Sequence, residues 1–328
     1  MIIKKLINSK IYFFIDKVSL EKESTNINNL PLNIEQFFYR WPSIYKRNAF
    51  LCYGSFCWTL QTYLFLKKHG VDVNLVDYVP ENGILIGHKT TFKDKQLKND
   101  NNPSLLKICI QGDKIYSPFE EDSTPKNVDI SIVQNMEDSS IENGNGLYVP
   151  FWPHYNIVPR EPWRKSIKTA LYCGWKVWLD EGLQSETFLR QLSELGVSLE
   201  TRFEDSSLLW TDYSEADLIL AIRSFDNNPY VHKPPTKLIN AWTAGVPAIV
   251  GMNETAYHQV GIQGKDFIGV SNIDEVITMI SYLKENPQKY TQMRERGFVS
   301  VKQFSEEKVV KCWLVLLDKF KQKFKGGV

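Results

Sequence analysis

Short apolar runs alternate with stretches of helical spacing along almost the whole chain, and that alternation leaves few folds open. In the first half "IYFFID", "VDVNLVDY", "GILIGHK", "SLLKICIQG" and "VDISIVQN" read as strands. "GSFCWTLQTYLFLKKHG" sets Phe56, Leu60, Tyr63, Leu64 and Lys67 at helical spacing and closes on Gly70, a helix C-cap. The second half restarts the pattern with "IKTALYCG" (strand), "ETFLRQLSELG" (helix), "VSLETRF" and "ADLILAIR" (strands). A further helix, the strands Pro247–Gly251 and "DFIGV", and "NIDEVITMISYLKENPQKYTQMRERG" as one helix capped by Asn272 follow. Strands separated by helices build parallel sheets covered on both faces.

Between the halves lies "VPFWPHYNIVPREPWRKS". Pro150, Pro153, Pro159 and Pro162 stop regular structure there, while the aromatics mark a packed segment rather than a free linker. At 328 residues the chain is long enough for two cores. The expectation is two doubly wound units, 1–155 and 156–305, and a closing helix within 306–328 that crosses back to the first. That helix carries Val309, Val310, Trp313, Leu314, Leu317 and Phe320 at helical spacing. Residues 92–104 and 136–146, rich in polar residues, read as loops.

The chain has 39 basic and 38 acidic side chains, a formal charge of +1, which argues against a nucleic-acid binder. Five cysteines (52, 57, 109, 173 and 312) form no CxxC pair and read as reduced thiols of a cytosolic protein. Ile11–Ile15 is too short for a signal peptide and has no small-residue cleavage site. No run approaches the length of a membrane span, so the expectation is a cytoplasmic protein, with peripheral contact to the inner face of the membrane left open.

"HKPPTKLINAWTAGVPAIVG" (His232–Gly251) is the most informative stretch. A helix starting near Pro235 or Thr236 offers unpaired backbone N–H groups and the positive end of its dipole, an anion site. Lys237 falls in its first turn, Lys233 in the approach loop, and Arg223 closes the preceding strand. Each alone reads as a solvated surface cation. Three converging on one helix mouth suit a diphosphate better than a single carboxylate.

"YVHKPPTKLINAWTAGVPAIVG" resembles the donor segment of GT-B glycosyltransferases and, with Tyr230-Val231, the Tyr-Val-Thr-Glu-Lys segment of alpha-1,3-fucosyltransferases. It is also similar to uncharacterised bacterial GT-B proteins. The resemblance implies the GT-B fold, two Rossmann-like units facing across a cleft, with a nucleotide-diphosphate sugar held by the second. By that likeness Lys237 matches the lysine on the donor diphosphate, with Tyr230 in the same segment. His232 and Asn240 occupy the places of the two glutamates of the E-x7-E motif of retaining enzymes. Neither is glutamate here, and Thr236 replaces the glutamate of the fucosyltransferase segment. The missing pair leans toward inverting chemistry, which needs one well-placed base.

Other candidates stand beside plain alternatives. Gly174 is either a tight turn or a close approach to the donor phosphate. Trp175 and Trp178 either stack on the donor or pack beside the sheet. Glu254 either meets ribose hydroxyls or is a first-turn acid after an Asn cap. Gly54 and Ser55 open a helix and are weak signals alone. His88 ends a strand, where an imidazole can act as general base toward an acceptor hydroxyl, although most single histidines are structural; Asp113 and Glu81 are rivals. No Asp-x-Asp, HExxH or Cys/His cluster points to a metal.

Together these readings favour a metal-independent glycosyltransferase, with no cofactor beyond its nucleotide-sugar substrate and a glycan or lipid-linked hydroxyl as acceptor. His88, Arg223 and Lys237 would carry the catalysis. Gly174, Tyr230, His232, Lys233, Asn240 and Glu254 complete the donor side. A non-catalytic sugar-nucleotide or carbohydrate-binding subunit, or a sugar-nucleotide epimerase of the same fold, fits the same residues.

Overall fold

The computed structural model describes residues 10–41, 54–93, 97, 100–112, 125, 127–154 and 156–323. It divides into two compact units, residues 1–152 with 306–328, and residues 153–305. No helix among the described residues is long and apolar enough to cross a membrane. Cys52 and Asp113 lie outside the described residues.

In the first unit the strands are β1 (Ile11–Phe14), β2 (Asn74–Val76), β3 (Gly83–His88), β4 (Leu105–Ile110), β5 (Ile130–Val133) and β6 (Gly146–Tyr148). They form one sheet in the order β2-β1-β3-β4-β5-β6, with every pairing parallel. β3, β4 and β5 are buried at every position, which is why they read as continuous apolar runs. Helices α1 (Lys17–Lys22), α2 (Ile34–Arg40), α3 (Gln61–Lys68) and α4 (Ser139–Glu142) join them.

Two differences from the sequence reading are local. The stretch before α3 is a π-helical run, Ser55–Leu60, all of it buried. α4 and β6 lie within or beside a segment whose polar composition reads as loop. Asp138 caps α4, and β6 pairs along β5 for three residues only, too few to leave an apolar signature.

The Pro-rich segment is packed. Trp152 stacks on Phe65 with ring centres 4.4 Å apart, and its indole N–H donates to Thr62 Oγ1 at 2.8 Å. The closing helix, α10 (Glu306–Lys323), belongs to this first unit. Glu306 in its first turn meets Lys68 and His69 at the end of α3, and Trp313 packs 6.3 Å from Phe13 of β1. Its buried stripe is Val309, Val310, Trp313, Leu316, Leu317 and Phe320, whereas Leu314 is 45% exposed. One turn spans 3.6 residues, so 309, 313, 316 and 320 share a face that 314 leaves.

In the second unit β7 (Thr169–Cys173), β8 (Ser198–Arg202), β9 (Leu218–Ala221), β10 (Ala248–Gly251) and β11 (Ile268–Val270) form a parallel sheet in the order β11-β10-β9-β7-β8. Helices α5 (Glu186–Glu194), α6 (Thr236–Ala244), α7 (Thr255–Val260), α8 (Ile273–Glu285) and α9 (Pro287–Ser300) complete it. α8 and α9 are two helices where periodicity reads as one. Pro287 has no N–H to continue α8 and instead takes the first position of α9. α6 ends at Gly245, whose φ of +69° needs glycine, and a side chain there would strike Phe298.

Below the sheet Asp217 is fully buried and accepts hydrogen bonds from Arg160, Arg164 and the backbone N–H groups of Lys168 and Thr169. Burial pushes its pKa up. Arg164 and the two backbone donors outweigh that and leave it below the usual value. Arg160 comes from the Pro-rich segment, so that part of the segment is tied into the second unit by charge.

Candidate functional site

A doubly wound sheet opens a crevice where the chain switches direction, outside the carboxyl ends of the two central strands. In the second unit the chain runs from β7 outward to β8, then returns to β9 on the other side of β7. The switch point is therefore between β7 and β9. Gly174 follows β7, Arg223 follows β9, and α6 begins with Thr236.

Gly174 has φ +152°, and a Cβ placed there would lie 3.1 Å from Lys237 Nζ and 2.9 Å from the Tyr172 hydroxyl. The ammonium of Lys237 thus lies over the backbone of the β7 turn, 4.9 Å from the centre of the Tyr172 ring. Tyr172 donates its hydroxyl to the carbonyl of Trp175 at 2.8 Å, which holds that turn closed. Burial raises the Tyr172 pKa well above its ordinary value, against the opposing charge of Arg223. Burial likewise pushes the Cys173 thiol up to about 12, so it is neutral and inert beside Lys237. Pro235, before α6, supplies no side-chain cap to the helix mouth.

Gly174→Ala therefore adds a methyl group where Lys237 lies and asks alanine for a backbone angle that favours glycine. We expect a stable fold, destabilised by about 1 kcal/mol or more, with the Lys237 ammonium displaced. Thermal unfolding and a crystal structure of the variant, side by side with the unaltered chain, check this.

Arg223 is held. Its backbone N–H donates to Glu254 Oε1 at 2.9 Å and its guanidinium pairs with the same carboxylate; the two side chains are 7% and 1% exposed. Glu254 stands before α7 and makes no cap hydrogen bond, so the reading of it as a first-turn acid is corrected: its oxygens go to Arg223. The Tyr230 ring lies 5.6 Å from the Arg223 Cζ. Tyr230 has φ +49°, rare for a side chain of that size, and shares a 2.7 Å hydrogen bond with Ser224.

Lys233 is not an exposed approach-loop cation. It is 2% exposed, and its ammonium lies 4.0 Å from the centre of the Trp178 ring, a cation–π contact. Trp178 in turn meets Tyr230 edge-on at 6.3 Å, and Tyr230 lies 6.4 Å from the His232 ring. Asn240, one turn beyond Lys237, turns inward. Its amide bonds His154 Nδ1 at 3.0 Å and reaches the Tyr213 hydroxyl. The structure thus gathers Gly174, Arg223, Lys237 and Glu254 around the switch point, with Tyr230, His232 and Lys233 in an aromatic cluster beside Arg223. Asn240 belongs to a buried pair.

That buried pair carries a pH dependence. Burial holds the His154 pKa down at about 3, against ~6.5 for an exposed imidazole. The unfolded chain takes up the proton first, so the stability contributed by neutral His154 is full above pH ~6.5 and declines as pH falls toward its folded value. Thermal unfolding followed from pH ~7 to ~4 is expected to show a decline that His154→Gln flattens. Identical curves for the two proteins would take His154 out of the account.

In the first unit the corresponding switch point is between β1 and β3. His88 ends β3, is 5% exposed, and donates its backbone N–H to Thr59 Oγ1 at 2.9 Å. Its Nδ1 bonds the Thr90 hydroxyl at 2.9 Å, and its ring occupies the space a Cβ on Gly54 would need. Asp16, at the end of β1, caps α1 through Ser19 and takes the Ser19 hydroxyl at 2.7 Å, with Ser55 and Thr91 in the same network. Glu81 stands before β3, at the opposite end of that strand from His88.

No family model and no curated protein matches this sequence. Solved structures do match. Anabaena HepE in complex with UDP and glucose superposes with a TM-score of 0.53 at 10% identity, covering 95% of this chain and 100% of that one. The same protein in complex with UDP-glucose gives 0.52 at 11% identity, over the same shares of the two chains. An S. aureus TarM variant in complex with fondaparinux, alpha-GlcNAc-glycerol and UDP gives 0.53 at 14% identity, covering 73% of this chain and 56% of that one. This chain thus spans a little over half of TarM.

The chain has the GT-B fold. Its second parallel sheet is the Rossmann-like unit that holds the helix mouth, and its first carries His88 at the end of β3. At these identities the likeness concerns the fold alone. No group of three or more metal-ligating side chains occurs among the described residues.

Sequence reasoning missed the Trp178–Lys233 contact and the inward turn of Asn240. Both join residues whose proximity only the folded sheet edge creates. The Arg223–Glu254 pair had one faint signal: an acid immediately after the turn that follows β10, beside a strand ending in arginine.

Proposed function

We propose that this GT-B protein is a glycosyltransferase that takes a sugar from a nucleotide-diphosphate donor, UDP-linked, and passes it to a hydroxyl of a glycan or lipid-linked acceptor. The observation that carries this reading is the Lys237 ammonium over the Gly174 turn, in the first turn of α6, with Arg223 just beyond the adjacent central strand β9. A glycine backbone gives close approach, and two cations with a helix N-terminus oppose the charge that grows on a departing diphosphate. The UDP and UDP-glucose in the HepE complexes, and the UDP in the TarM complex, support the choice of donor.

The protein's own residues then divide the work. Lys237 and Arg223 stabilise the leaving group without a metal ion. Tyr230, His232 and Trp178 line the donor side. His88, at the switch point of the first unit, removes the proton of the acceptor hydroxyl as it attacks the anomeric carbon. The reaction belongs to polysaccharide assembly on the cytoplasmic side, at or near the membrane's inner face.

The test is incubation with a panel of nucleotide sugars, with and without mixed glycan acceptors and a chelator, following free UDP. The reading expects acceptor-stimulated release of UDP from at least one donor, undiminished by chelator. Binding with no release from any donor would indicate a binding subunit. Donor converted to its epimer without acceptor would indicate an epimerase.

A further inference from the structure

We propose that Glu254 is a positioning residue for Arg223, acting on the donor through that arginine and not by touching the nucleotide's ribose. The inference rests on the donor-site reading above and gives the carboxylate a different task from the one its sequence position suggests.

Glu254 lies at the position that normally caps a helix, yet it caps nothing. Its side chain is 1% exposed, and a carboxylate so deeply buried is costly unless it is paired. Both of its oxygens face one residue on the neighbouring strand: Oε1 accepts the Arg223 backbone N–H, and Oε2 pairs with guanidinium Nη1. Backbone and side chain of Arg223 are therefore both held by the same carboxylate.

The plane of the guanidinium does the rest. With Nη1 turned toward Glu254, the edge formed by Nε and Nη2 is left, and Nε is buried with no hydrogen-bond partner. A buried unpaired N–H is costly in a native fold, and a phosphate oxygen placed at this edge would satisfy it. That edge is the part of an arginine that meets two oxygens of one phosphate side by side. Tyr230 stands at its flank, held by Ser224 and by a left-handed backbone angle, so the arginine is packed as well as paired. Glu254 thereby fixes the orientation of the Arg223 guanidinium just beyond β9 before any ligand arrives.

The experiment is calorimetric titration of UDP, 2′-deoxy-UDP and 3′-deoxy-UDP into the full chain and into Glu254→Gln. For the unaltered chain we expect the three nucleotides to bind within about twofold of one another, because no carboxylate meets the ribose. In Glu254→Gln all three should weaken together, by about fivefold or more, since the aim of Arg223 is lost. In an Arg223→Gln background, adding Glu254→Gln should change affinity by less than about twofold, because the two act as one unit. A deoxy-nucleotide penalty in the unaltered chain that vanishes in Glu254→Gln would overturn the inference in favour of a ribose contact. So would a folded Glu254→Gln protein with unchanged UDP affinity. If Glu254→Gln fails to fold, the three nucleotides on the unaltered chain still decide the ribose question. No binding of UDP by the unaltered chain would overturn the donor reading, and this inference with it, an outcome distinct from a deoxy penalty.

Discussion

Lys237→Ala is expected to bind UDP at least about tenfold more weakly than the unaltered chain and to lose turnover in parallel. A charged hydrogen bond to a phosphate contributes about 1.5–3 kcal/mol, and the ammonium over the Gly174 turn is the cation nearest the helix mouth. Thermal stability should change little. Lys237 is half-buried in the first turn of α6, with its ammonium over the Tyr172 ring. Calorimetry with UDP beside a melting curve separates the two effects. Equal affinity in a folded variant would remove Lys237 from the site.

The second large effect is expected at the other end of the chain. α10 buries Val309, Val310, Trp313, Leu316, Leu317 and Phe320, and it lies in the first unit although the second unit separates it in sequence from the rest. Ending the chain at Ser305 uncovers the apolar surface those six side chains fill. Fully burying each such side chain is worth about 1.5–3 kcal/mol, so the total approaches the whole stability of an ordinary domain. The truncated protein should aggregate or expose apolar surface to a hydrophobic dye. Trp313→Ala alone should cost about 3–5 kcal/mol, because the indole is 2% exposed beside Phe13. A truncated chain that remained monomeric and melted at the same temperature would make α10 an appendage.

Much of the fold was legible because parallel strands buried on both faces leave unmistakable apolar runs. β3, β4, β9 and β10 sit where "GILIGHK", "SLLKICIQG", "ADLILAIR" and "PAIVG" place them, and Gly70 and Gly245 end their helices as C-cap glycines should. Short elements were not legible: β6 and α4 owe their form to neighbours rather than to their own periodicity, and the run before α3 reads as helix without showing its π form. The candidate site was half legible. A helix mouth beginning Pro-Pro-Thr-Lys shows its chemistry in one stretch of sequence. Partners drawn from separate segments, such as Glu254 with Arg223, Trp178 with Lys233 and His154 with Asn240, share no spacing rule, because only the folded chain decides which segments become neighbours.

In the proposed function the mouth of α6 and the Gly174 turn hold a nucleotide diphosphate. The most direct measurement is a crystal structure of the protein soaked with UDP. Phosphate oxygens are expected within hydrogen-bond distance of Lys237 Nζ and of the Arg223 Nε–Nη2 edge, with the Arg223–Glu254 pair unbroken. A nucleotide bound elsewhere, or at this edge with its diphosphate turned away from Lys237, would contradict it.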